Sequence, residues 1–243
     1  MSTTLIDKLF EAGASVTGKA YRMLAARKSS NGEATPLQTD NYGSLNVAFG
    51  DKTGTKDIFA RLRVSAPFTL FDGKQVYDAG PLVFATDLTS GGTSTWVPNE
   101  ASSSLAVTGT SGSKVVRQSR AFIPYEPGRS QYILTTGVFG AAVANVRKRM
   151  GFFDVGNGIY LEQNGTTSVS LNVRSFTTGS AVNTSILQAN WNIDKLDGTG
   201  PSGFTLDLTK FVILFIEFGW LGGAGVRMGF FIDGEATYAH SFD

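Results

Sequence analysis

Apolar and polar residues alternate most clearly in the second half of this chain. Val169, Leu171 and Val173 alternate with Ser168, Ser170 and Asn172. A period of two places one set of side chains on one face of an extended strand. The runs 131–138, 159–162, 211–218 and 226–232 are likewise short and apolar, and 147–153 runs from a basic start into Met150, Phe152 and Phe153. Glycine-containing turns separate them. Asn164-Gly165 is the strongest hairpin signal, and Pro127-Gly128 suits a type II turn. Residues 211–218 read as a core strand interrupted by Glu217. A buried carboxylate needs a cation, and Arg227 and Arg174 are the two candidates.

The first half is less regular. Residues 44–49, 58–64 and 82–86 read as strands, and residues 99–113 as an exposed hairpin. Residues 5–26 carry the one long helical pattern, with Leu5, Leu9, Phe10, Val16, Ala20, Met23 and Leu24 in a broken stripe. Gly13 and Gly18 weaken it by about 1 kcal/mol each. Two readings stay open: a helix docked on the body, or an extended arm ordered against a neighbouring subunit. Residues 28–42 read as a linker. The expected organisation is an N-terminal helix or arm with linker over 1–42, then a β domain over 43–243. A small inserted or separate β region over 43–113 is compatible with it. The expected fold is all-β, an antiparallel β-sandwich of jelly-roll or lectin-like type.

Composition sharpens this picture. Among 243 residues, 29 are Gly and 18 are Phe, as expected of a packed sheet protein with many turns. There is no Cys, which removes disulfides, thiolate catalysis and Cys-based metal sites. Lys plus Arg number 21 and Asp plus Glu 20, so net charge gives no argument for nucleic acid. Residues 1–7 carry an acid and no following apolar core, so a secretory leader is not expected. No run is long and apolar enough to predict a membrane span.

Chemistry has few candidates. His240 is the single histidine, and no Gly-x-Ser-x-Gly elbow accompanies it. The Gly-rich stretch 50–57 lacks the Gly-Lys-Ser/Thr ending of a phosphate loop. Asn192, Asp194 and Asp197 cluster in a turn-dense loop, and Asp154 with Asn157 makes a second cluster. Their spacing departs from an EF-hand loop, and such side chains routinely cap their own turns. Glu162, Glu217 and Asp233 are the carboxylates that a glycosidase reading would need. Trp191, Asn192, Asp194, Asp197 and Trp220 are the candidates for a structural loop or a glycan contact. Arg117, Arg120, Arg129, Arg147 and Arg149 are the candidates for a basic interface. No catalytic group, cofactor or metal is expected.

Several strings resemble a family of tailed-bacteriophage virion structural proteins. They are Arg117-Gln118-Ser119-Arg120, Tyr125-Glu126-Pro127-Gly128-Arg129-Ser130, and Gly151-Phe152-Phe153-Asp154 with Asn157-Gly158. The longest runs from Trp191-Asn192-Ile193-Asp194-Lys195-Leu196-Asp197 through Gly198-Thr199-Gly200-Pro201-Ser202-Gly203. The likeness continues through Leu206-Asp207-Leu208, Trp220-Leu221-Gly222, Arg227, Gly229, Phe230, Ile232-Asp233-Gly234 and His240. It covers roughly the second half of the chain. The resemblance implies a virion component of capsid or tail, a lectin-like β-sandwich, and partners among other virion proteins and copies of itself. A carbohydrate-binding module for host adhesion is the alternative, with a host glycan as partner.

Overall fold

The structure is a computed structural model and describes residues 25–27, 34–36, 68–123, 128–166, 168–219 and 225–242. The chain divides into two compact units, Met1–Gly50 and Asp51–Asp243. In the first unit, β1 (Ala25–Arg27) pairs antiparallel with β2 (Ala34–Pro36). Ala25 and Ala26, the end of the expected helix, are therefore strand residues. The expectation for 5–24 lies outside the described residues, as do the strands expected over 44–49 and 58–64.

The second unit is antiparallel β-sheet. Two ribbons come first. The strand β3 (Phe84–Thr89) pairs with β6 (Lys114–Ser119), and β4 (Thr93–Val97) pairs with β5 (Ser102–Ala106). Two four-stranded sheets follow. One has the order β11 (Val182–Leu187), β10 (Ser168–Ser175), β9 (Gly158–Asn164), β8 (Arg147–Phe153). The other has the order β14 (Glu235–Phe242), β13 (Val226–Ile232), β12 (Val212–Gly219), β7 (Ser130–Gly137).

The alternation read from the sequence sets which side chains meet. On β9, Ile159 and Leu161 point to one face, beside Leu171 of β10 and Met150 and Phe152 of β8. On the other sheet, Leu214, Ile216 and Phe218 of β12 lie beside Met228 and Phe230 of β13. All of these belong to one hydrophobic cluster. Phe152 stacks on Phe218 across it, with ring centres 5.8 Å apart. Each fully buried Leu or Phe here stabilises the fold by about 1.5–3 kcal/mol.

A second cluster occupies the opposite face of the β7–β12–β13–β14 sheet. Phe215 of β12 meets Tyr238 and Ala236 of β14, with Phe231 packed against them. Both faces of β12 are thus buried, which explains its nearly continuous apolar sequence. A bulge at Met228/Gly229 shifts the β13–β14 register. The Asn164-Gly165 turn joins β9 to β10 as expected, with Gly165 at φ +60°.

The ribbon region departs from the sequence reading: residues 99–113 form no hairpin of their own, because 102–106 pair back onto β4. Residues 68–81 form no strand, despite the apolar side chains of 68–71 and 76–77. Their backbone is held by side chains instead: Trp96 Nε1 donates to the Gln75 carbonyl at 2.9 Å. No helix among the described residues is long and apolar enough to cross a membrane.

Candidate functional site

The loop of residues 188–210 forms a cap fastened to the edge strand β14. It begins with a short 3-10 turn, Gln188–Asn190, directly after β11. Trp191 follows and is only 3% exposed. Its ring stacks on Phe230 at 6.2 Å, and its indole N–H donates to the Ile186 carbonyl at 3.2 Å. The ring therefore packs beneath the loop, where no ligand in solution reaches its face.

The next three residues tie the loop to β14. Asn192 Nδ2 donates to the Ser241 carbonyl at 2.9 Å, and the Ser241 amide donates back to Asn192 Oδ1 at 2.9 Å. The Asn192 amide donates to His240 Nδ1 at 3.1 Å, so that nitrogen acts as an acceptor. The amides of Ile193 and Asp194 both donate to the Ala239 carbonyl at 3.1 Å.

Asp194 then holds the loop closed on itself. It is buried, and its Oδ1 accepts from the Leu196 amide at 2.9 Å. Its Oδ2 accepts from the Ser202 amide at 2.8 Å. One carboxylate thus bridges the two arms of the loop. Gly200 lies so close that a Cβ there would overlap Asp194 Oδ1. The fully buried Leu196 sits beside it at φ +50°, an uncommon conformation for a branched side chain. Gln188 Nε2 donates to the carbonyls of Lys195 and Leu196 at 3.0 and 2.9 Å, which helps hold that conformation.

Asp197 stays at the surface. Its Oδ1 accepts from the Thr199 amide at 2.9 Å and the Thr199 hydroxyl at 2.6 Å. The hydroxyl bond, with the amide bond, holds the Asp197 carboxyl below its ordinary pKa. Asp207 repeats the device with Thr209, at 3.0 and 2.6 Å, and its carboxyl is lowered for the same reason. Asp154 and Asn157 are similarly occupied. Asp154 Oδ1 accepts from the amides of Gly156 and Asn157, and Asn157 Oδ1 accepts from the Phe176 amide. Among the described residues, no three His, Asp or Glu side chains cluster as a metal site. Trp220 lies outside the described residues.

The five arginines do not gather at one site: Arg117 lies on β6 and Arg120 just after it, Arg129 just before β7, and Arg147 and Arg149 on β8. Arg117 lies over the Phe84 ring at 4.5 Å and donates to Gln75 Oε1 at 3.0 Å and to the Ala79 carbonyl. Burial lowers its pKa. Arg120 Nε donates to the carbonyls of Pro81 and Phe84, both at 3.0 Å. These two fasten residues 75–84 to the β3–β6 ribbon. On β8, Arg147 is exposed, while Arg149 bonds Glu162 at 2.6 Å. Arg149 also lies 5.1 Å from the Tyr160 ring, and Arg174 lies 5.2 Å from the same ring. Arg129 is exposed just before β7 and has interaction partners.

Glu217, Arg227 and Tyr238 form a buried polar group on the outer face of β12–β14. Glu217 Oε2 accepts from Arg227 Nη2 at 3.0 Å and from the Tyr238 hydroxyl at 2.9 Å. Of the two cations open to it in the sequence, Arg227 is the partner. Arg174 instead donates to Asn183 Oδ1 and the Tyr160 hydroxyl.

Sequence reasoning passed over one more feature. A cavity of about 400 Å³ opens between the β9–β10 turn and the Gln188–Asn190 turn. Gln163, Ser168, Gln188 and Asp197 supply its polar lining. Gln163 is buried, and its Oε1 has no hydrogen-bond partner. A glutamine within a strand carries no motif, so spacing alone offers no signal for it. Comparison of the chain with models of known families, with curated proteins and with solved structures finds no match.

Proposed function

We propose that this chain is a non-catalytic structural subunit of a tailed-bacteriophage virion, in capsid or tail, working through contacts between subunits. The sequence resemblance motivates the reading. The two four-stranded sheets with a shared core suit the β-sandwich it implies. The observation that carries it is the outward placement of large apolar side chains. Phe122, Tyr77 and Leu82 are 92%, 91% and 90% exposed, and Phe68 and Val155 are nearly as open. Large exposed apolar side chains mark interaction sites where they form one contiguous patch. Meanwhile Asp194 and Glu217 are buried, and Arg117 and Arg120 bond backbone carbonyls of the neighbouring segment. The partners are other virion proteins and further copies of this chain.

Light scattering on the purified chain tests this reading, together with imaging of intact particles. Concentration-dependent assembly is expected, weakened by Phe122→Ser with Leu82→Ser. A chain that stays monomeric at every concentration and joins no particle overturns it.

The alternative, binding of a host glycan, is favoured by the cavity beside Asp197. Its amide, hydroxyl and carboxylate groups suit a neutral polyhydroxyl ligand, and its volume lies within the roughly 300–1,000 Å³ of small-molecule sites. Glycan binding abolished by Gln163→Leu, with assembly intact, would support this alternative. Binding lost on Trp191→Ala would report only the collapse of the cap.

A further inference from the structure

The edge strand β11 carries none of the sequence features that protect a sheet edge. It reads Val182-Asn183-Thr184-Ser185-Ile186-Leu187, with no charge and no proline. Its inner side is fully paired with β10, and its residues are exposed except for the half-buried Ile186. Among the described residues, its backbone makes one further hydrogen bond, from the Trp191 indole to the Ile186 carbonyl. An edge strand left in this condition is a template for pairing with another strand.

Among the edges of the two four-stranded sheets, β8 and β14 are guarded. The strand β8 carries Arg147, Lys148 and Arg149, and Lys148 Nζ holds the Phe139 and Ala141 carbonyls at 2.7 and 2.6 Å. The strand β14 is covered by the loop, whose residues 192–194 bond Ala239 and Ser241. At the start of β7, Ser130, Gln131 and Tyr132 are engaged. Charged residues and covering segments are the usual protection of sheet edges, and β11 lacks both.

From this contrast we infer that β11 is a pairing edge for β11 of a second copy, antiparallel about a two-fold axis through Thr184. The inference rests on the assembly reading above and names its contact. A two-fold axis perpendicular to the sheet keeps like faces on the same side. Position 184 then pairs with itself, and position 182 with position 186. Val182 meets Ile186 on both sides of a Thr184–Thr184 contact, and Asn183 meets Ser185 on the other face. Apolar and Thr–Thr cross-strand pairs are favourable, and no like charges are brought together. The product is one continuous eight-stranded sheet from the two β8–β11 sheets, with an isologous interface.

The test uses the full chain and two variants, Thr184→Lys and Thr184→Glu, with mass measured by light scattering over a concentration series. Circular dichroism checks that each variant folds. Each variant alone sets two like charges opposite each other at the axis, so its self-association weakens by about tenfold or more. Mixing the two variants one to one restores association, because lysine then faces glutamate. Restoration on mixing is the result a merely structural role for Thr184 would not give. If the unmodified chain assembles and both variants assemble equally well, the edge inference falls and the assembly reading stands. If the unmodified chain is monomeric throughout, the edge inference falls, and the assembly reading falls with it when the chain also joins no particle.

Discussion

Glu217 and Arg227 face each other across β12 and β13, with Arg227 Nη2 3.0 Å from Glu217 Oε2. The carboxylate is fully buried, and Tyr238 supplies a second donor to the same oxygen. Removing one charge from a buried pair leaves the other uncompensated, at a cost of about 3–5 kcal/mol. Glu217→Ala is therefore expected to lower stability by about that amount in equilibrium denaturation. Replacing both charges, as Glu217→Met with Arg227→Met, should recover much of the loss. Two single losses that simply add in the double variant would show that the pair acts through something other than mutual neutralisation.

Asp194 and Gly200 make a second tight relationship. The carboxylate occupies the space that any side chain at position 200 would need. Gly200→Ala must displace Asp194 from the amides of Leu196 and Ser202. Leaving buried donors unmet costs about 1–3 kcal/mol. Asp194→Ala should cost a similar amount, and the two substitutions together little more than either alone. Hydrogen exchange would locate the effect, with faster exchange expected at the Leu196 and Ser202 amides.

Trp191 supports the cap from below. Trp191→Ala removes a buried ring and its bond to the Ile186 carbonyl, and a loss of about 3–5 kcal/mol is expected. Trp191→Phe keeps most of the packing against Phe230 and should cost clearly less. Thermal or denaturant unfolding of the two variants measures the difference. An alanine variant as stable as the unmodified chain would place the ring outside the core.

The acid limb of stability should depend on Asp197 and Asp207. Both carboxyls lie below their ordinary value in the folded chain, mainly through the Thr199 and Thr209 hydroxyls. A lowered folded pKa adds stability above the unfolded value of about 3.9, and that contribution is lost as pH falls through the folded value. The melting temperature of the Asp197→Asn/Asp207→Asn double variant should therefore fall less steeply below about pH 4 than that of the unmodified chain. Parallel acid limbs for the two proteins would rule this contribution out.

Much of the sheet structure was legible in the sequence. The alternation of Val169, Leu171 and Val173 marks β10, and Asn164-Gly165 marks its hairpin. The strand β11 was not legible, because five of its six residues are exposed and its apolar positions keep no period. The absent strand at 68–81 has the opposite cause. Its aromatics suggest a strand, but its backbone groups are taken by Trp96 and Arg117. The Gln163 cavity was invisible because it depends on two turns that are 20 or more residues apart meeting in space.

Sequence by itself determined the strand period, the turn positions and the residue inventory, because these depend on backbone sterics and local side-chain chemistry. It also placed Trp191, Asn192, Asp194 and Asp197 together in one loop. Only the tertiary structure decided what each of them does. Trp191 went under the loop because Phe230 on β13 offers it an apolar surface. Asp194 turned inward because the Leu196 and Ser202 amides converge on it. Glu217 took Arg227 because antiparallel pairing sets the two directly opposite, whereas Arg174 lies on the other sheet. Such choices follow from distances between segments remote in the chain, which local pattern does not encode.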